Sequence, residues 1–309
     1  MILGFFVGYY ILMKNTHLEH PEDAILSGRD AFNNMLQFLR DRNSTATVKW
    51  DGAPAIVFGT YKGRWFVGTK SVFNKVKVKI NYSHHDIDIN HSNNYKVAAI
   101  LHTCFDCLRR TAGIWQGDFI GYGGTDTYTP NTITYKFDQE IEEGIAVAVH
   151  TNYLGGDLKT LSANFDAQFD RYACGSSDTK YLDTHATITS RSRRVDYLIG
   201  LATLVASVVR LPDIKRGREL KIAVNKCIRG QKDISNAGMG IQLTLLYKLI
   251  IQIKHLLMQG ITSEENVQCQ FEGVDCAHEG FVMTNKFGTY KLVNRREFSY
   301  RNFTKKKDW

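Results

Sequence analysis

Hydrophobic residues recur at helical spacing near the beginning of the chain. Phe32, Met35, Leu36 and Leu39 lie three or four positions apart, so they fall on one face of a helix. Upstream, Pro21 suits the first position of a helix, and the two acidic residues after it suit the positive end of a helix dipole. The pattern predicts a helix start near residue 21 and an amphipathic helix with one buried face.

Runs of β-branched and aromatic residues predict strands in several places. The first is a β-hairpin over residues 55–73, with Lys62 and Gly63 at its turn. Shorter runs predict strands over residues 114–121, 132–137, 144–150 and 280–293. The polar segment HHDIDINH, residues 84–91, shows neither period and predicts a loop.

Long apolar segments predict helices over residues 97–110, 197–210 and 241–258. The chain becomes polar and irregular after about residue 155 and then strongly helical, which favours two units of an α+β protein. Residues 14–156 and 266–309 would form the main domain, and residues 157–265 a helical insertion. The basic stretch of the insertion either meets a phosphate backbone or is a solvated charged face. Its members are Lys215, Arg216, Arg218, Lys221, Lys226, Arg229 and Lys232.

Composition narrows the class of protein. A hydrophobic content of 43% and a charged content of 23% are ordinary for a soluble globular protein. The net charge of +8 and the pI near 9.1 favour a polyanionic partner, such as nucleic acid or a nucleotide. Residues 1–13 are apolar, but a helix needs about 20 such residues to cross a bilayer, and no cleavage site follows them. We therefore expect a cytoplasmic protein without a membrane partner.

Three places offer possible metal ligands, and each has a simpler explanation. The six cysteines are scattered, which favours reduced thiols, although Cys104 and Cys107 could form half of a zinc site. The imidazoles and carboxylates of residues 84–91 could bind a metal or phosphate, or belong to a solvated loop. The chemistry of a helix start explains the third group as well as a metal does; that group is His17, Glu19 and His20.

The stretch Val48-Lys49-Trp50-Asp51-Gly52 places one lysine between a predicted strand end and a tight Asp-Gly turn. A rigid, partly desolvated ammonium there can lose its proton near neutral pH and act as a nucleophile. The alternative is an ordinary surface lysine before a β-turn, because so short a motif also occurs by chance.

This stretch resembles the nucleotidyl-lysine motif of the covalent nucleotidyltransferases, the superfamily of ATP-dependent RNA and DNA ligases and mRNA capping enzymes. In that family the lysine attacks the α-phosphate of a nucleoside triphosphate and holds the nucleotide as a phosphoramidate. The resemblance makes Lys49 the catalytic residue, with Val48, Trp50, Asp51 and Gly52 beside the nucleotide. The wider pattern THLEHPED, KWDGAPAIVFG, TKSVFNK and TPNTITY is similar to uncharacterised ligase-like proteins of phages and other viruses.

Companion residues occur in the family's order. Lys70 resembles the basic residue that touches the phosphate or ribose, and Asp118 matches an acidic position where the family more often has glutamate. Glu279, before Gly280, resembles the fourth motif better than Glu143 does, because Lys291 follows it one hairpin later, as the family's last lysine does.

The resemblance also supplies expectations for the base and the metal. Tyr135 and Phe137 alternate to one face of a strand, and one of them would stack on the base, with core packing as the alternative. Asp118 and Glu279 would hold ribose or Mg²⁺. Burial and the charges of Lys70 and Lys291 would lower the pKa of the nucleophile.

These features imply an ATP-grasp-like nucleotidyltransferase domain of antiparallel sheets with flanking helices, as in the catalytic domain of DNA and RNA ligases. ATP and Mg²⁺ are the expected cofactors, and nucleic acid with 5′-phosphate ends the partner. RNA is favoured over DNA because the segment after the last motif is too short for an OB-fold. The alternatives are DNA nick sealing and a non-catalytic nucleic-acid-binding module on the same fold. Nucleotide choice stays open between ATP and GTP, because Thr47 stands where DNA ligases usually carry a glutamate.

Overall fold

The computed structural model describes residues 13–14, 18–170 and 177–304. The expectations for residues 1–12, for His17 as a metal ligand and for Cys174 as a free thiol lie outside these residues.

Strands and helices are both present, which confirms the α+β class. The strands are β1 (Met13–Lys14), β2 (Thr45–Lys49), β3 (Ala55–Tyr61), β4 (Arg64–Thr69), β5 (Ile114–Tyr122), β6 (Thr125–Tyr128), β7 (Thr134–Ile141), β8 (Ile145–Leu154), β9 (Ser162–Asn164), β10 (Thr179–Tyr181), β11 (His185–Ile188), β12 (Ile261–Ser263), β13 (Val267–Phe271), β14 (Val274–Cys276), β15 (Gly280–Asn285) and β16 (Gly288–Val293). The helices are α1 (Arg29–Arg40), α2 (His84–His91), α3 (Tyr95–Cys107), α4 (Arg193–Val208), α5 (Ile214–Arg229), α6 (Ile241–Met258) and α7 (Arg295–Thr304), with short 3₁₀ helices at Pro21–Ser27, Lys70–Phe73 and Ile234–Ala237.

The described strands form three sheets. The largest has the order β1-β9-β8-β5-β3-β4, with β10 added parallel to β8. The second has the order β12-β11-β2-β15-β16, and the third the order β14-β13-β7-β6. Apart from β10 with β8, neighbouring strands are antiparallel, as expected. The second sheet places β2, which ends at Lys49, next to β15, which begins just after Glu279.

The predicted hairpin is confirmed. β3 and β4 pair in register, and Lys62 and Gly63 at the turn have φ values of 50° and 74°. Positive φ at both central residues is typical of the two-residue turns whose twist matches a hairpin. The helices predicted near α1, α3, α4 and α6 are also present.

The prediction of a loop over residues 84–91 is wrong, because these residues form α2. The Ser83 hydroxyl accepts a hydrogen bond from the Asp86 backbone N–H, and the Asp86 carboxylate accepts one from the Tyr82 N–H. These bonds satisfy two backbone donors at the helix start in a variant of the capping box, in which the second donor is Tyr82, one residue before the N-cap Ser83. The Ser-x-x-Asp spacing of residues 83–86 could have predicted this helix start, but the polar composition of the segment favoured a loop.

Residues 157–265 are not helical throughout. Strands β9 and β10 extend the first sheet, and β11 and β12 join the second, so only residues 193–258 form the helical part. The helices α4, α5 and α6 share one hydrophobic core with α1 and the second sheet, through buried residues such as Phe38, Ile199 and Ile250. The helical part therefore packs as a layer of the same core.

Helix α6 is the one helix among the described residues that is long and apolar enough to cross a membrane. Half of its length is buried inside the protein, and the core helix of a soluble protein has the same length and composition. Lys254 on this helix is 1% exposed and pairs with the buried carboxylate of Glu22, 2.6 Å from it.

Candidate active site

Lys49 and Glu279 meet at the edge of the second sheet. Lys49 ends β2 and pairs in register with Gly280, the first residue of β15, so Glu279 lies immediately before the neighbouring strand. The Lys49 Nζ donates a hydrogen bond to Glu279 Oε2 in an ion pair. A quarter of the Lys49 side chain (26%) is exposed, against 8% for Glu279. The Lys49 side chain is therefore partly exposed along its length, whereas that of Glu279 is buried.

Two further lysines belong to the same charge cluster. Lys291 lies on β16, one strand beyond β15, opposite Val282. Burial and the charges of Lys49 and Lys70 lower the pKa of Lys291, and Glu279 opposes them. Lys70 begins the 3₁₀ helix after β4, which belongs to the first sheet. Cations from two sheets and from distant parts of the chain thus influence one another.

The expectation that the pKa of Lys49 is lowered is wrong for the ligand-free protein. Burial does lower it, but contact with Glu279 and the charges of Asp118 and Asp51 raise the pKa above its usual value of 10.5. Burial in turn raises the pKa of the Glu279 carboxyl group, and the positive charge of Lys49 opposes this increase. The sequence indicated the neighbouring lysines correctly, but it could not show that the carboxylates lie closer.

Asp118 approaches the lysine from the first sheet. It lies on β5, where it pairs with Ala55 at the start of β3. Its Oδ2 lies 3.6 Å from His150 Nε2 on β8, so an imidazole stands beside this carboxylate. His150 was missed by the sequence reasoning, because only the β5–β8 register brings it to Asp118. Gly52 makes the approach possible, since a Cβ there would lie 2.7 Å from the Asp118 Cβ.

The Asp51 carboxylate is used within the protein. It accepts hydrogen bonds from Asn131 Nδ2 at 2.7 Å and from the backbone N–H groups of Thr132 at 2.7 Å and Ile133 at 3.0 Å. Asp51 is 4% exposed. Because its oxygens already hold the segment before β7, the residue positions the turn after Lys49 instead of presenting free acceptors.

The aromatic residues assigned to the base lie in the core. Trp50 is 2% exposed, Tyr135 0% and Phe137 8%, and the Trp50 and Tyr135 ring centroids are 4.9 Å apart. The Tyr135 hydroxyl accepts a hydrogen bond from the Asp51 N–H at 2.7 Å. Val48 is buried on the same side of β2. These contacts favour the alternative of core packing for Tyr135 and Phe137.

A cavity lies along the other face of β2. Side chains alternate along a strand, so Thr47 and Lys49 share one face while Val48 points to the core. Thr47 lines a cavity of about 820 Å³, whose wall also includes Val149, Phe169 and Asp183. This volume is in the range of small-molecule sites. The cavity meets β2 at residues 44–47, and its lining includes neither Lys49 nor Glu279.

His20 borders the lysine cluster from the 3₁₀ helix at Pro21–Ser27. The Glu19 carbonyl accepts a hydrogen bond from the Lys291 N–H at 2.9 Å, which brings the next residue close to Lys291. His20 Nδ1 is buried without a hydrogen-bond partner. Burial and the charges of Arg295, Lys254 and the site lysines hold its pKa well below 6.5, so the ring is neutral. A metal ion at His20 would meet those cations, which disfavours the metal interpretation there.

The described cysteines are free thiols, as expected. Burial raises the pKa of Cys104, so this thiol resists ionisation to the thiolate that zinc requires. No group of three or more His, Cys, Asp or Glu side chains in residues 18–170 and 177–299 is arranged to enclose a metal ion.

The residues present nevertheless fit Mg²⁺ bound together with phosphate. Mg²⁺ usually takes one or two carboxylates and completes its coordination with water and substrate phosphates. Asp118 and Glu279 both lie within electrostatic range of Lys49 and would supply carboxylates of this kind. Asp51 is excluded from this role because its oxygens are used by the loop.

The fold and the site define an α+β protein of antiparallel sheets in which lysines and carboxylates from two sheets converge. The chain belongs to the family of unknown function DUF6267, whose profile matches residues 15–243 and 235–307. No curated protein and no solved structure matches it.

Proposed function

We propose that this protein is an ATP-dependent polynucleotide ligase that acts through a covalent lysyl-AMP intermediate on Lys49, with RNA as the preferred strand. The proposal includes an ATP-grasp-like nucleotidyltransferase fold for the sheets that carry the site. One observation supports it above all. Lys49, Glu279 and Lys291, predicted from separate motifs, interact on three adjacent strands.

The first step forms a nitrogen–phosphorus bond. The Lys49 ammonium, held by its hydrogen bond to Glu279, loses one proton to water, and the Nζ lone pair attacks the α-phosphorus of ATP. The bond from that phosphorus to the oxygen bridging to the β-phosphate breaks, and pyrophosphate leaves with the electron pair. The nitrogen releases its second proton to water as the phosphoramidate forms.

The remaining side chains stabilise charge and position the substrate. Lys291 and Lys70 would offset the negative charge on the leaving pyrophosphate. Asp118 and Glu279 would hold Mg²⁺, which neutralises phosphate charge when bound. Burial of Tyr135 and Phe137 assigns them to the support of the Lys49 turn.

The later steps transfer the nucleotide and seal the strand. An oxygen of a 5′-phosphate displaces Lys49 from the AMP phosphorus, which leaves an activated 5′ end. A 3′-hydroxyl then attacks the 5′-phosphorus, a phosphodiester forms, and AMP departs. DNA nick sealing is the second candidate, and a binding module without catalysis is the third.

Incubation with α-labelled ATP and Mg²⁺, followed by denaturing gel electrophoresis, tests the proposal. The wild type should retain label, and Lys49→Arg should not, because a guanidinium is not a nucleophile near neutral pH. Lys62→Arg, at the exposed hairpin turn, is the matched control and should label normally. An unlabelled wild type would favour the binding module. Labelling by GTP instead of ATP would favour capping chemistry.

Joining assays then separate the acceptors. The pre-labelled protein should pass AMP to a 5′-phosphorylated RNA strand and release a joined product. Faster joining of nicked DNA than of RNA would make DNA ligation the function. Charge reversal at Lys215 and Arg218 on α5 should weaken joining but leave labelling intact, if the basic stretch meets the phosphate backbone.

A further inference from the structure

A chain of four polar side chains links α2 to α3 on the surface. His84, at the start of α2, stacks against His102 on α3, with ring centroids 5.0 Å apart and ring planes inclined by 14°. Their Nδ1 atoms lie 2.7 Å apart. His84 Nε2 lies 2.9 Å from Asp106 Oδ1, and His102 Nε2 lies 2.9 Å from Asp88 Oδ1.

The carboxylates determine which nitrogen of each ring carries hydrogen. An ionised carboxylate only accepts hydrogen bonds, so the Nε2 of each ring donates to its aspartate. A neutral imidazole has a single N–H, and therefore both Nδ1 atoms present lone pairs. Two lone pairs that face each other at 2.7 Å repel. A positive species must lie between them, and the candidates are a proton and a metal ion.

We propose that the facing Nδ1 atoms of His84 and His102 bind a divalent transition-metal ion of the kind that prefers imidazole, Zn²⁺ or Cu²⁺. Imidazoles that ligate metals almost always donate their other N–H to a carboxylate or carbonyl, which fixes the ring and raises its basicity. Both rings here have that carboxylate. These two rings also direct their other nitrogens at each other.

The geometry needs only a small adjustment. Zinc–nitrogen bonds are about 2.0–2.1 Å long and tetrahedral, so the two nitrogens would stand roughly 3.3 Å apart. Each ring would move by a few tenths of an ångström and also turn, so that the two lone pairs meet at the ion instead of facing each other. The side chains are 47% and 30% exposed, which leaves room for water at the other coordination positions. The Phe105 ring packs edge-on against His84 at 5.0 Å and limits its rotation.

Two protein ligands make a site of modest affinity. Its direct consequence is a link between α2 and α3, whose buried residues Ile87 and Leu101 pack in the core over the first sheet. None of the four side chains belongs to the Lys49 cluster. The proposal is therefore independent of the proposed ligase function, and either can fail alone.

Isothermal titration calorimetry of the whole chain with ZnCl₂ and with CuCl₂ at pH 7.5 tests the proposal. The wild type should bind one ion, and more tightly for Cu²⁺ than for Zn²⁺. His84→Ala and His102→Ala should each weaken binding at least tenfold. Asp106→Asn should weaken it about 10-fold to 100-fold through the ring it orients. His85→Ala, an exposed histidine on the same helix, is the matched control and should bind as the wild type does.

Electron paramagnetic resonance of the Cu²⁺ complex gives a readout that does not depend on the variants. Hyperfine coupling to two imidazole nitrogens is expected. Absence of saturable binding in the wild type would show that a shared proton is the only occupant and would overturn the proposal. An affinity of His84→Ala and His102→Ala equal to that of the wild type would overturn it as well.

Discussion

The pH dependence of Lys49 labelling follows from the site's charges and can be measured directly. Contact with Glu279 raises the pKa of the amine above 10.5, so the reactive neutral form is scarce at neutral pH. Below that pKa, each pH unit changes the neutral fraction about tenfold. Binding of a triphosphate adds negative charge and raises the pKa further. The labelling rate should therefore rise about tenfold per pH unit across the neutral range.

Single-turnover labelling at saturating ATP and Mg²⁺, from pH 6.5 to 9, is the assay. Unlabelled samples checked by circular dichroism confirm that the fold persists across the range. Glu279→Gln removes the charge that contributes most to raising the pKa, so the inflection of its profile should move to lower pH, whatever happens to its maximal rate. A wild-type rate that is flat above pH 7 would refute the reasoning. It would mean that the amine is already neutral in the ATP complex.

Two other predictions concern the frame around the site. Lys254→Ala removes the nearest cation from the buried Glu22 carboxylate and leaves only the more distant Arg295 Nη1, 3.5 Å away, so urea unfolding should show a loss of about 3 kcal/mol. A loss below about 1 kcal/mol would contradict the described burial. Gly52→Ala should abolish labelling and cost about 1–3 kcal/mol, because the new Cβ would lie 2.7 Å from the Asp118 Cβ. Gly156→Ala, where a Cβ meets open space, is its control, and normal labelling of Gly52→Ala would show that close approach of Asp118 is unnecessary.

Sequence pattern predicted the elements that are long and strongly periodic. Helix α6 has the predicted bounds, and the hairpin turn at Lys62 and Gly63 follows from turn chemistry alone. The three- and four-residue strands β9 to β12 were missed, because they are too short to show a period and their pairing is set by distant neighbours. That pairing is also what joins residues 157–188 to the sheets.

For the candidate site too, the sequence predicted some features and could not predict others. Motif order predicted that Lys49, Glu279 and Lys291 would interact, and the register of β2, β15 and β16 explains how they do so. Motif order could not predict the direction of the Lys49 pKa shift, since that direction depends on which charge lies closest to the amine. The sequence also could not show that the Asp51 carboxylate accepts hydrogen bonds within the protein, because its donors lie in a loop some eighty residues later.

Histidines beside the site were the least predictable part. His150 reaches Asp118 only through the register of β8 on β5. His20 reads as part of a helix start, and its buried, unpartnered nitrogen becomes evident only when the lysine cluster surrounds it. A single sequence carries no signal that separates such residues from ordinary polar positions.

Mass spectrometry of the protein after incubation with ATP and Mg²⁺ tests the central claim most directly. Peptide fragmentation should locate one AMP on Lys49 through an acid-labile nitrogen–phosphorus bond, and Lys49→Arg should carry none. AMP on a different residue, or no AMP on the wild type with ATP or GTP, would contradict the account.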